Sequence, residues 1–127
     1  MVAGNADAQK MRMQKYHQAL SAKMNSLMKP GWKCQVNLGD SNDGDGQDVE
    51  IRLTMPIKEY MEFAPVAALE AASIPHKFPV VYIYLREETT DRVGRVAFRD
   101  AEPMAKRYLA GEKERAIEDM KEAIIWH

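Results

Sequence analysis

Cysteine is nearly missing from this chain. Cys34 is the only one among 127 residues, so no intrachain disulfide can form and a reducing compartment is expected. An excess of one charge is missing too, since 18 lysines and arginines stand against 19 aspartates and glutamates. That balance removes the bulk electrostatic argument for nucleic acid or for an anionic membrane. No apolar run reaches the roughly 18 residues that would cross a bilayer, and no basic-then-apolar leader pattern is present. The expected location is therefore the cytoplasm, of a cell or of a virus-infected host cell, and no membrane partner is expected.

The motifs of common chemistry are absent as well. Neither of the glycine-rich phosphate patterns occurs. His17, His76 and His127 are scattered, and none has a second ligand at the spacing zinc sites use. No metal and no cofactor is expected. Cys34 lies on the apolar side of its segment with Trp32 and Val36, where a thiol behaves as a small hydrophobe. The acidic pairs Glu87-Glu88 and Glu118-Asp119 sit in stretches dense with arginine and lysine. Read as a solvated turn and a helix face, they lack the burial that general acid chemistry needs. No catalytic residue is assigned, and the chain reads as non-enzymatic.

What is present is an ordinary globular composition, 46% apolar and 29% charged, with the length of one domain spanning residues 1–127. The densest apolar stretch, Val80 to Leu85, consists of β-branched, aromatic and aliphatic residues and reads as a central strand. Arg86 to Arg92 is a polar connection, and Val93 to Phe98 returns as the second arm of a hairpin, with Gly94 marking a bulge.

After a loose start over Met1 to Asn5, residues 6–28 carry a helical pattern. Met13, Tyr16, Leu20, Met24 and Leu27 recur at spacings of three and four, and the flanks are basic. Pro30-Gly31 stops the helix. Strict alternation over Trp32 to Leu38 and over Val49 to Met55 gives two half-buried strands, expected to pair as an antiparallel hairpin.

The acidic loop between them tests poorly as a calcium loop. Counted from Asp40, Gly44 falls where the fifth ligand belongs, Asp45 where the glycine belongs and Ile51 where the bidentate glutamate belongs. Aspartate and glycine here read as turn chemistry. Ile57 to Phe63 and Pro65 to Ala72 read as short helical pieces separated by Pro65. Asp100 is placed to cap a last helix from Ala101, with Pro103 in its first turn and Gly111 its weak point.

The resulting fold class is α+β: a four-stranded antiparallel sheet packed by N-terminal and C-terminal helices and a short middle helical segment, in the order α-β-β-α-β-β-α. Two functions from different classes fit it. The preferred one is a small protein-binding module, whether adaptor, chaperone, assembly factor or inhibitor, cellular or viral, with a protein partner or a second copy of itself. Its contact residues are expected at Arg12 in the basic first helix and at Ile124, Ile125 and Trp126 in an unusually apolar terminus, while nine methionines suit adaptable surfaces. The alternative is a nucleic-acid-binding domain that displays Lys33, Arg52, Tyr82, Tyr84, Arg95 and Arg99 on an uncovered sheet face.

Overall fold

The computed structural model describes the backbone of residues 2–127 and the side chains of residues 7–127. Its elements run α1 (Val2–Leu27), β1 (Lys33–Asp40), β2 (Gln47–Thr54), α2 (Ile57–Ser73), β3 (Val80–Glu87), β4 (Arg92–Ala97), α3 (Phe98–Leu109), α4 (Lys113–Ala123) and β5 (Ile125–Trp126). The strands form one five-stranded sheet in chain order, β1-β2-β3-β4-β5. Among the described residues no helix is long and apolar enough to cross a membrane.

The sheet is mixed, which corrects the all-antiparallel expectation. β2 and β3 run parallel, whereas the other three pairings are antiparallel. The reason lies in α2, which is long enough to carry the chain back across the sheet before β3 begins, and a crossover of that kind delivers a parallel neighbour. The two readable hairpins are thus β1-β2 and β3-β4, joined by a β-α-β unit.

Alternation along the strands makes one covered face. In register across β1 to β4 run Leu38, Val49, Ile83 and Val96, and next to them Val36, Ile51, Leu85 and Gly94. The valines, isoleucines and Leu85 of these rows are buried. On the same face Tyr16, Leu20 and Met24 of α1 are buried, with Met13 and Leu27 half-buried, as the spacing predicts. The opposite face carries Gln35, Asn37, Glu50, Arg52, Tyr82, Tyr84 and Arg95, none of them buried.

Three local expectations change. The middle segment is one helix with Pro65 inside it. An interior proline costs about 3 kcal/mol, yet Tyr60, Ala64, Ala67, Ala68 and Leu69 are all fully buried along this helix. At about 25 cal/mol per Å² of apolar surface that burial exceeds the cost of the proline. α3 begins at Phe98, with Ala97 as its N-cap and no side-chain cap, so Asp100 lies in the first turn and Pro103 beyond it. Phe98, Ala101, Ala105 and Tyr108 are buried at helical spacing, and their stripe requires the earlier start. The four-residue spacing from Ala105 would put Leu109 on the same inward face, yet it is 67% exposed, while its neighbour Tyr108 is buried.

The last helix is split at Gly111, whose φ of 102° only glycine adopts readily. The Gly111 N–H donates to Tyr108 O and the Glu112 N–H to Arg107 O, the paired bonds of a Schellman termination. An ion pair of Arg107 with Asp119 at 2.9 Å then ties α3 to α4.

Candidate functional site

Two surfaces collect the residues with chemistry to offer. The first is a groove of about 570 Å³ at the place where α1, the α2–β3 connection and α3 meet. Ala72, Ile74, Pro75, Ala105 and Leu109 give it an apolar lining. Around them stand Arg12 and Lys15 from α1, Lys77 from the connection and Lys106 from α3, with Glu102 as the one carboxylate. All five charged side chains are exposed. Among the described residues, none of the five enters an ion pair.

Local sequence explains this convergence. Arg12 and Lys15 are three apart and so share one side of α1, next to the buried Tyr16. α2 stops at Ser73 because Pro75 follows and forces Ile74 into extended backbone. The connection then doubles back past His76 and Lys77. His76 fixes that path. Its Nδ1 lies 3.0 Å from Ile74 O, and its ring meets Phe98 edge-on at 4.8 Å and Tyr16 at 5.9 Å. The Tyr16 hydroxyl donates to Ala71 O at 2.7 Å, locking α1 to α2 beneath the groove, and burial pushes the Tyr16 pKa upward.

The second surface is the uncovered sheet face. It brings together five of the six residues expected for nucleic acid: Lys33, Arg52, Tyr82, Tyr84 and Arg95. Arg99 is not among them, because the strand ends at Ala97 and Arg99 belongs to the first turn of α3. The face is largely self-neutralised. Glu50 meets Arg52 at 3.1 Å and Arg86 at 3.3 Å, Glu88 meets Arg52 at 3.4 Å, and Asp91 pairs with Arg86. The Arg95 guanidinium stacks 4.7 Å over the Tyr82 ring, whose edge meets Tyr84 at 6.0 Å. These contacts occupy groups that a base or phosphate would need.

The residues expected at a protein interface also part company. Arg12 lines the groove. Ile124 is 4% exposed and belongs to the core. Trp126 is half-buried against Tyr60, their rings 5.8 Å apart, and Arg92 lies over its ring at 5.7 Å. Only Ile125 is presented outward, 55% exposed, on the sheet face opposite the helices. The tail thus docks on its own domain by pairing with β4. At the other edge of the sheet, His17 Nε2 lies 2.7 Å from the Val36 carbonyl of β1, an edge acceptor that a strand from a second copy would otherwise use.

Two groups escaped the sequence reading. Glu87, read as part of a solvated turn, is the last residue of β3 and 1% exposed, because its place in the alternation turns it to the covered face beside Leu53. Glu70, on the buried side of α2, accepts a hydrogen bond from the Tyr108 hydroxyl at 2.8 Å, and burial followed by this contact pushes the Tyr108 pKa up to about 12. The period-two pattern through Leu85 and the period of α2 were the signals that could have found them.

The acidic loop closes by a Ser41 N–H to Gly46 O bond of 3.0 Å. Among the described residues no three histidine, cysteine or acidic side chains cluster as metal ligands would. The Cys34 thiol donates to Asn25 Oδ1 at 3.3 Å, and partial burial raises its pKa, against thiolate chemistry. The space between α2 and the sheet is filled by Tyr60, Ala64, Ala67 and Leu69. No protein-family model matches the chain, and neither a curated protein nor a solved structure matches it.

Proposed function

We propose that this protein is a small, non-enzymatic protein-binding module whose docking surface is the groove between α1, the α2–β3 connection and α3. One observation carries the reading: four cations with no ion-pair partner among the described residues surround an apolar lining that includes the outward-facing Leu109. Fold stability alone does not call for that arrangement. An exposed leucine and unpaired lysines contribute little to stability in the free chain, whereas an apolar centre with a charged rim is the anatomy of an interface. Nucleic-acid binding on the open sheet face is the less favoured reading, because Arg52 and Arg86 are already matched by carboxylates there.

The test is selection of peptides from an unbiased display library on the immobilised chain, with a single-stranded oligonucleotide assayed in parallel at low and moderate salt. Peptides whose binding is lost in Leu109→Asp with Lys106→Glu, while the melting temperature holds, support the reading. A salt-releasable oligonucleotide complex that disappears in Arg95→Glu with Tyr82→Ala, and no groove-dependent peptide, overturns it.

A further inference from the structure

We propose that the segment taken by the groove is an acidic peptide with an aliphatic anchor, its leucine-like side chain seated on the apolar lining and its carboxylates meeting the cations at the rim. This deepens, and rests on, the reading of the chain as a protein-binding module. The argument begins with charge. Arg12, Lys15, Lys77 and Lys106 come from three elements far apart in sequence and are brought round one opening. They are opposed by Glu102 and by the C-terminal end of α2, which reaches the groove at Ala72 and Ser73. A helix end of that polarity carries about half a negative charge, so it cancels only a fraction of the excess. In a chain whose net charge is −1, this is a local reversal of sign.

The chemistry of the anion follows from where the positive charge sits. Buried phosphate sites are built from backbone N–H groups and helix N-termini, but α2 presents its carbonyl end here. An anion seated deep would meet those carbonyls. The lysines lining the groove are instead solvent-exposed and long enough to hold their charge in water, so side-chain carboxylates of a peptide reach them without entering the groove. Apart from Ser73 and His76 the uncharged lining is aliphatic, and the His76 ring packs edge-on among Tyr16, Phe78 and Phe98. It therefore offers no open platform for base stacking, which a single-stranded nucleic acid would use. A volume of about 570 Å³ holds a few side chains.

The experiment is fluorescence anisotropy on the full chain with three dye-labelled probes: a short peptide of glutamates around leucine, the same peptide with lysine for glutamate, and leucine-free polyglutamate. The glutamate-leucine peptide is expected to bind at least about tenfold more tightly than either control and to weaken as salt rises. Lys77→Glu with Lys106→Glu is expected to reduce its affinity at least about tenfold, since an attraction becomes a repulsion. Leu109→Asp should lower it separately. All these positions are exposed, so an unchanged melting temperature certifies the fold.

Equal binding of the lysine peptide, or indifference to both variants, overturns the proposal. So does displacement of the peptide by an oligonucleotide, or light scattering that finds a dimer which Lys77→Glu with Lys106→Glu converts to a monomer. Library peptides that depend on Leu109 yet show no acidic bias would overturn this inference and leave the module reading standing. The absence of any groove-dependent peptide would overturn both.

Discussion

Gly94 on β4 lies directly against Ile124: a β-carbon at position 94 would stand 2.7 Å from Ile124 Cγ2 and 2.8 Å from Trp126 Cζ3. The glycine is therefore the seat of the C-terminal tail. Its lack of a side chain lets β5 pair with β4 and lets Ile124 enter the core. Gly94→Ala is expected to destabilise the domain by about 1–3 kcal/mol through overpacking. Ile124→Ala should cost about 2–5 kcal/mol by opening a cavity, whereas the outward-facing Ile125→Ala should stay within about 0.5 kcal/mol. Urea titration of the three variants checks the order. A tail that could be removed without loss of stability would contradict the packing.

Gly111 makes a prediction of opposite sign to the one helix propensity gives. In a helix interior, replacing glycine by alanine stabilises by about 1 kcal/mol. Here Gly111 sits at φ 102° past the end of α3, where a β-carbon is strained although no neighbour lies within 4 Å of it. Gly111→Ala is expected to lower stability by about 1 kcal/mol, read as a fall in melting temperature. A rise would mean that α3 and α4 can fuse.

Periodicity made most of the fold legible, and long-range geometry hid the rest. The stripe Tyr16, Leu20, Met24 and the alternations in β1 and β2 put Val36, Val49, Ile51 and Leu53 on the covered face, because the side-chain periods of helix and strand act locally, while Glu87 at the end of β3 is hidden by its polar neighbours. The direction of β3 relative to β2 is not local, since it depends on α2 continuing through Pro65. The phase of α3 is likewise set by its early start at Phe98, which carries the stripe Phe98, Ala101, Ala105 and Tyr108 inward and leaves Leu109 facing out. The groove was the least visible feature. Arg12 could be singled out on a basic helix, but Lys77 and Lys106 gain meaning only when the chain reversal at Pro75 sets them beside it.

Tyr60 couples alkaline stability to the sheet. Its hydroxyl donates to Leu85 O at 2.6 Å, and burial, with a smaller contribution from the Glu87 charge, pushes its pKa up to about 12 against the opposing effect of Arg92. The unfolded chain ionises near the ordinary value of about 10. The folded state holds the proton more tightly, so this contribution is complete below that pH and is lost as pH rises through about 12. Tyr60→Phe should cost about 1 kcal/mol at neutral pH through the lost bond and should flatten the alkaline fall in urea midpoint. An unchanged alkaline slope would sink the assignment.

Glu87 makes the corresponding prediction on the acid side. Burial by itself raises its carboxyl pKa, but the N–H and hydroxyl of Thr90, at 2.6 and 2.8 Å from Oε2, act against it, with a smaller contribution from the neighbouring Thr89. The hydrogen bonds win, and the pKa lies below the ordinary carboxylate value. The unfolded chain therefore takes up the proton first as pH falls below about 4.3. The stabilisation is fully present above that pH and disappears as pH falls through the lower folded value. Because Oε1 is buried with no hydrogen-bond partner among the described residues, the turn depends on Oε2 alone. Glu87→Gln is expected to lower stability by about 1–3 kcal/mol at neutral pH, with the gap to the parent closing as the solution is acidified. Thr90→Ala removes one of the two bonds to Oε2, and in a double-mutant cycle it should be non-additive with Glu87→Gln by about 0.5 kcal/mol or more. A gap that stays constant between neutral and acid pH would mean that the Glu87 charge contributes nothing, leaving shape alone to hold the β3–β4 turn.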